Sequence, residues 1–337
     1  MSARILAVMV LSAAAAAACE SGFEPEYLVK DLRVLAASVD PPELTIPIPP
    51  EVAQRLRERM AAGFEGEGAG GDMADRGMFS PDQFPQFSLP VSFSVLLADG
   101  QESTRIYPFR LQACTLEGSQ CAADAPAPVV AEGTVGVGES TVDAQVPSDA
   151  LFAAAQADMF MGYYGFAVWL RGEIDAGEAE PMVFVKALLV YPDFTGDRVP
   201  NRNPAILDIL VGEKDKEEPV PLNAAGRFEV KLGSEHRVLP FLAPEDRERY
   251  TVVTYEGEVL ELEEYLTVGL YSTCGDFDST RASEEPDMAF DPEDVEKTLA
   301  VTWTAPSDGP AICTIWFVVT DGRGGEDWHI LDVDVTQ

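Results

Sequence analysis

Ile312-Cys-Thr-Ile-Trp-Phe-Val-Val-Thr-Asp-Gly-Arg-Gly-Gly-Glu-Asp-Trp-His-Ile-Leu-Asp-Val-Asp-Val-Thr336 reads as two strands joined by one turn. Cys313, Ile315, Phe317 and Val319 share one face of the first strand. Leu331, Val333 and Val335 share one face of the second, with Asp332 and Asp334 opposite. That period of two is the mark of half-buried strands, and Asp321-Gly-Arg-Gly-Gly325 supplies the turn of a β-hairpin. Trp316 and Trp328 fall on the outward face, opposite each other, and form a candidate surface for stacking on a sugar or a partner protein. Coverage by a neighbouring domain is the other explanation, and the one favoured, because cross-strand aromatic pairs also stabilise hairpins.

The same alternation extends back along the chain. Leu299, Val301 and Trp303 repeat it, as do Leu266, Val268 and Leu270, and Phe228, Val230 and Leu232. Asp193 to Asn203, set among Pro192, Pro200 and Pro204, interrupts it and places a domain boundary near Val199. Before the boundary, Met159 to Arg171 and Met182 to Tyr191 read as a pair of long strands, and Lys186 requires that one face of the second reach water. Ser148 is placed to cap a helical turn from Asp149 to Gln156. Val91 to Leu97 and Tyr107 to Leu111 are half-buried strands. Near the start, Leu32, Val34 and Ala36 share a face of a strand that Pro41-Pro42 ends. Residues 51–62 have a helical pattern, and 63–77 are too rich in glycine to pack.

Many short strands, little helix and no βαβ alternation make the chain all-β, with two β-sandwiches in tandem over 27–198 and 199–337 and a helical, glycine-rich insertion near 51–87 in the first. A length of 337 residues suits two domains. With 46% hydrophobic residues the chain is not a disordered polymer, and a net charge of −35 excludes nucleic acid and anionic membrane surfaces as partners.

Arg4 followed by an uncharged stretch from Ile5 to Ala18 has the form of an export signal and is too short for a membrane span of about 20 residues. Ala16-Ala-Ala-Cys19 resembles the lipobox of bacterial lipoproteins, with Ala16 where leucine is usual; an ordinary signal cut near Ala18 is the alternative. The resemblance implies a signal peptide over 1–18, lipidation of Cys19 and a tether over 19–26. Glu20, in place of the aspartate that retains such proteins in the inner membrane, implies the outer membrane, facing the periplasm or the cell surface.

An exported chain meets an oxidising compartment, so Cys114, Cys121, Cys274 and Cys313 are expected to form disulfides. Of the three possible connectivities, pairing sequence neighbours is the simplest. A Cys313–Cys274 bridge joins either two strands or two sheets. No Cys-x-x-Cys occurs, and His236 and His329 flank no cysteine, which argues against zinc or a catalytic thiol.

Tyr27-Leu-Val-Lys-Asp-Leu-Arg-Val-Leu35, Asn201-Arg-Asn-Pro204, Gly269-Leu-Tyr-Ser-Thr-Cys-Gly-Asp-Phe277, Trp303-Thr-Ala-Pro306 and Trp316 to Gly325 together resemble Gram-negative bacterial lipoproteins with immunoglobulin-like or PKD-like domains. The resemblance implies immunoglobulin-like sandwiches and carries no activity with it. The short spacing of Cys274 and Cys313, with Trp303 between them, departs from the antibody pattern.

Candidate chemistry is sparse. Gly66-Glu-Gly-Ala-Gly-Gly71 satisfies Gly-x-Gly-x-x-Gly but lacks the preceding strand and following helix that a dinucleotide requires. No Gly-x-Ser-x-Gly elbow is present. His329 shares the inward parity of Leu331, and His236 reads as a turn residue. Asp193, Thr195, Asp197 and Asn201, and separately Asp276 and Asp278, are calcium candidates, although neither segment fits a calcium loop and a solvated acidic surface is the favoured reading. No other cofactor is expected. The expected function is a non-enzymatic, lipid-anchored envelope module that binds or scaffolds a protein or polysaccharide; the alternative is an envelope glycan hydrolase with paired carboxylates, metal-assisted or not.

Overall fold

The computed structural model describes residues 25–47, 54, 86–101, 104–117, 120–122, 127–158, 165–178, 180–193, 199–214, 219–221, 227–253, 259–284 and 299–337. The export signal, Cys19, the 51–62 pattern apart from residue 54, the 63–77 loop, Gly66 to Gly71, Thr195 and Asp197 lie outside these residues.

The first half runs through β1 (Arg33–Asp40), β2 (Glu43–Pro47), β3 (Ser88–Ala98), β4 (Ile106–Cys114), β5 (Leu116–Glu117), β6 (Gln120–Cys121), β7 (Val129–Gly136) and β8 (Gly138–Pro147). A helix, α1 (Ser148–Ala157), then leads to β9 (Phe166–Ile174) and β10 (Met182–Asp193). The second half contains β11 (Ile206–Glu213), β12 (Val220–Pro221), β13 (Arg227–Lys231), β14 (Glu235–Leu242), β15 (Arg249–Val253) and β16 (Val259–Glu263). It closes with β17 (Leu266–Ser272), β18 (Asp276–Phe277), β19 (Arg281–Ser283), β20 (Val301–Thr304), β21 (Ile312–Asp321) and β22 (Glu326–Thr336).

The two halves share one core topology, to which the second adds β12 and β18. In the first half β1-β3-β8 faces β2-β10-β9-β4-β7; in the second β12-β11-β14-β20-β18 faces β13-β22-β21-β17-β19. Each half opens with a strand that pairs antiparallel in the all-antiparallel sheet (β1 with β3, β11 with β14). A strand that pairs parallel with the last strand of the opposite sheet comes later (β2 with β10, β13 with β22). These are two immunoglobulin-like β-sandwiches, each filled by inward residues of both sheets. Phe93, Phe109 and Phe184 stack in the first core. Trp303 and Phe317 are fully buried in the second.

Four local readings change. A bulge between Val34 and Ala36 in β1 flips the strand's parity, so Val34 packs on the first core and Ala36 points out of it. Ser148 is the first residue of α1 and does not cap it; the N-cap is Pro147, without a side-chain bond, and the Ser148 amide donates to the Phe87 carbonyl. His236 lies in β14, opposite Trp303, with Phe228 edge-on to its ring and Ser234 Oγ 2.7 Å from its Nε2. Trp316 faces Ile330 and Trp328 faces Val318, so the two indoles are diagonal neighbours on one face.

Both disulfides form between sequence neighbours, Cys114 with Cys121 and Cys274 with Cys313. Cys313 is in β21 and Cys274 follows its sheet neighbour β17, so the second bridge ties adjacent strands of one sheet. The Trp303 indole donates to the Cys274 carbonyl at 3.2 Å.

Candidate functional site

The outer face of β1 and β3 carries Ala36, Leu96 and Ala98, which the bulge in β1 brings into one patch. That patch is buried against Trp316 and Val318 of β21, with Tyr271 and Trp328 at its border. Trp316 is 5% exposed, so it is unavailable to a ligand; the neighbouring sandwich covers it. The chain's first described residues are trapped in the same seam. The Val29 amide donates to the Ser272 carbonyl at 2.8 Å, and the Ser272 amide donates to the Tyr27 carbonyl at 2.9 Å. Tyr27 is thus bonded to the second sandwich just before the chain enters β1 of the first. Gly100 lets the strand pass: a Cβ there would meet the Val29 carbonyl at 2.4 Å.

The tip of the last hairpin is buried too. Asp321 Oδ1 accepts from the amides of Arg323 and Gly325 at 2.7 and 2.8 Å, folding the turn inward. Arg323, 8% exposed, then donates through Nη2 to Glu43 of the first sandwich at 2.7 Å and through Nη1 to Glu264 at 3.0 Å. Its guanidinium lies 4.5 Å from the Tyr250 ring centre, a cation–π contact. Glu248 is 3.6 Å from Nη1 and accepts from Arg202 at 2.6 Å. Burial first, and the Asp321 charge second, push the Glu264 carboxyl up to about 7. This planar cation with carboxylates from both sandwiches is satisfied in one relative placement of the two. Sequence reading took Arg323 for an ordinary turn residue; the available signal was an arginine between glycines in a chain with 58 acids.

Asn201-Arg-Asn203 completes the seam. Asn201, 1% exposed, donates to Asp321 Oδ2 at 3.0 Å. Asn203 donates to the Val39 carbonyl and accepts from the Glu326 amide, each at 2.9 Å. Glu326 also takes the Ala37 amide and the Lys186 ammonium. The outer edge of β1 is thus blocked by side chains of the second sandwich and the linker, which closes a strand edge to pairing with other chains. Beyond Glu326 a groove of about 490 Å³ separates β1 from the first half of β10.

On the other side of Glu326 lies a cleft of about 370 Å³ between the sandwiches. Its floor is the polar remainder of the sheet whose apolar part is buried: Ser38 pairs with Ser94, whose hydroxyl is 2.8 Å from that of Thr141, flanked by Asp40 and Glu139. Its wall is Trp328 and Asp327 of β22. Asp327 accepts from the Ile206 amide at 2.7 Å; burial raises its pKa, and the Glu139 charge across the cleft adds to the rise. Of the two tryptophans singled out, the structure leaves Trp328 at a cavity and takes Trp316 away.

The calcium candidates are dispersed. Asp276 accepts from the Tyr27 hydroxyl at 2.8 Å, Asp278 accepts from the Thr302 amide at 2.9 Å, and Asp193 ends β10. Among the described residues no three His, Cys, Asp or Glu side chains converge on a metal position. His329 sits at the rim of the second core, its pKa lowered by burial.

No protein-family model matches the chain, and no curated protein matches it in sequence. Two matched solved structures are a transglutaminase of red sea bream and the fibronectin(III)-like modules of CbhA from Clostridium thermocellum. The first has 10% identity and a TM-score of 0.21 over 80% of this chain and 34% of that one. The second has 7% identity and a TM-score of 0.20 over 74% and 87%. The chain therefore spans about a third of the transglutaminase. Superpositions this loose carry no argument about function, and the fold stands on the strand order above.

Proposed function

We propose that the chain is a lipid-anchored cell-envelope protein of the outer membrane, held through Cys19, that acts as a non-enzymatic binding or scaffolding module for a protein or polysaccharide partner. The observation that supports this reading most is the seam: an apolar cluster and a buried arginine fix two sandwiches into one frame with a cleft at their junction. A fixed frame suits recognition, because little conformational freedom is lost when a partner docks. Tyr27, just after a tether over 19–26, is bonded into the seam, so an anchor on that tether would hold both sandwiches at their junction; the last hairpin acts as the lock between them and is not a displayed tip. The hydrolase alternative gains nothing from Glu264, whose raised pKa suits a general acid but whose side chain is 1% exposed beneath Arg323.

Intact mass and membrane fractionation of the natively expressed protein beside a Cys19→Ala variant test the anchor, and crosslinking in the envelope tests the partner. The expected result is an acylated chain in the outer-membrane fraction, released by the substitution, with a discrete crosslinked species. An unmodified soluble chain that cleaves glycans would overturn the reading.

A further inference from the structure

The cleft between the sandwiches holds groups that the fold itself leaves unused. Ser38 is only 8% exposed, yet its hydroxyl has no hydrogen-bond partner among the described residues and it lines the cleft. Trp328 packs one side against the seam cluster and turns another to the cavity. Asp40, Glu139 and Asp327 gather around it; the one cation in its lining, Arg202, is bonded to Glu248 outside the cleft, and Lys186 is bonded to Glu326. Glu139 and Asp327 come from opposite sandwiches and repel across the gap. That repulsion is a cost of holding the sandwiches together, and a cation between them would remove it.

We infer that this cleft binds an organic cation, the lysine or arginine side chain of a partner protein, with its charge over the Trp328 indole and among Asp40, Glu139 and Asp327. The inference rests on the binding-module reading and names its site and ligand chemistry. An indole beside carboxylates is the arrangement that recognises ammonium and guanidinium groups. A hard dication needs six to eight oxygens, and these three carboxylates line the cleft without meeting at one metal position. A neutral sugar could stack on the indole but would leave the two carboxylates repelling. Ser38 supplies an acceptor for one N–H of the ligand.

Calorimetry on the full chain tests this with four probes: a blocked pentapeptide with one central lysine, the same peptide with norleucine in its place, spermidine, and a neutral glucan oligosaccharide. The lysine peptide should bind and weaken with added salt, and the norleucine peptide should not bind. Trp328→Ala and Glu139→Gln should each lower its affinity about tenfold, from the usual strength of a desolvated cation–π or charge contact. Asp308→Asn, on an exposed turn, should leave it unchanged. Equal binding of the norleucine peptide, preference for the oligosaccharide, or an equal loss in Asp308→Asn would overturn the assignment. Binding of spermidine alone would overturn the protein-borne source. If envelope crosslinks persist in full in Trp328→Ala, the cleft falls while the scaffold reading stands; loss of all partners from the wild-type chain removes the scaffold reading itself.

Discussion

Arg323 is the residue on which the geometry of the seam depends most. Removing it leaves Glu43 and Glu264 buried without their cation, so Arg323→Ala should cost about 3–5 kcal/mol in urea unfolding, the usual penalty for breaking one side of a buried pair. Arg323→Lys keeps the charge and loses the fork, and should fall between. Glu264 gives the seam a pH dependence whose sign can be worked out. Its carboxyl titrates near 7 in the folded chain against an ordinary 4.5, so between those values the folded state holds the extra proton. Stability contributed by this group is therefore full below about 4.5 and lost as pH rises through about 7. Urea midpoints for the wild type should be higher at pH 5 than at pH 7.5, and Glu264→Gln should flatten that difference. An unchanged slope in the variant would show that the dependence comes from other groups, such as the buried Asp327 and Glu326, or from the chain's general negative charge.

Strands were legible wherever a strict period of two met a clear turn, as in β21 and β22, because one face of each touches one core. Legibility failed where tertiary contact rewrites the local rule. Val34 and Ala36 share parity in sequence but not in space, since a bulge adjusts β1 to serve two neighbours at once. His236 looked like a turn residue because Gly233 and Ser234 precede it, yet β14 begins at Glu235 and draws it in. The disulfide pairs were legible from spacing; Arg323, Glu43 and the cleft were not, since their partners lie up to 280 residues apart. The loop after Cys274 offers a sharp test. Gly275 has φ 76°, and a Cβ there would meet the Thr304 carbonyl at 2.5 Å and the Trp303 indole nitrogen at 2.6 Å. Gly275→Ala should destabilise the second sandwich by about 1–3 kcal/mol, with altered Trp303 fluorescence as the local readout. Replacing both Cys274 and Cys313 by alanine should cost about 2–4 kcal/mol by the same assay.

Two sandwiches joined by a short linker are expected to move relative to each other unless their interface is apolar and well filled. Here it is filled by Trp316, and Trp316→Ala should open it: small-angle scattering should show a longer maximum dimension while the far-ultraviolet spectrum is unchanged. Gly100→Ala tests the entering strand separately, since the added methyl collides with the Val29 carbonyl. Amide exchange at Val29 and Ser272 should rise in that variant, with the cores still protected. The position of that strand also decides how the molecule would bear a load. A pull on the N-terminus reaches the Tyr27–Ser272 contact before it reaches β1, so the force divides between the two sandwiches at their waist. A chain held at its N-terminus and drawn taut in this way would hang by its middle, like a balance from its pivot, with neither core first in line to unravel.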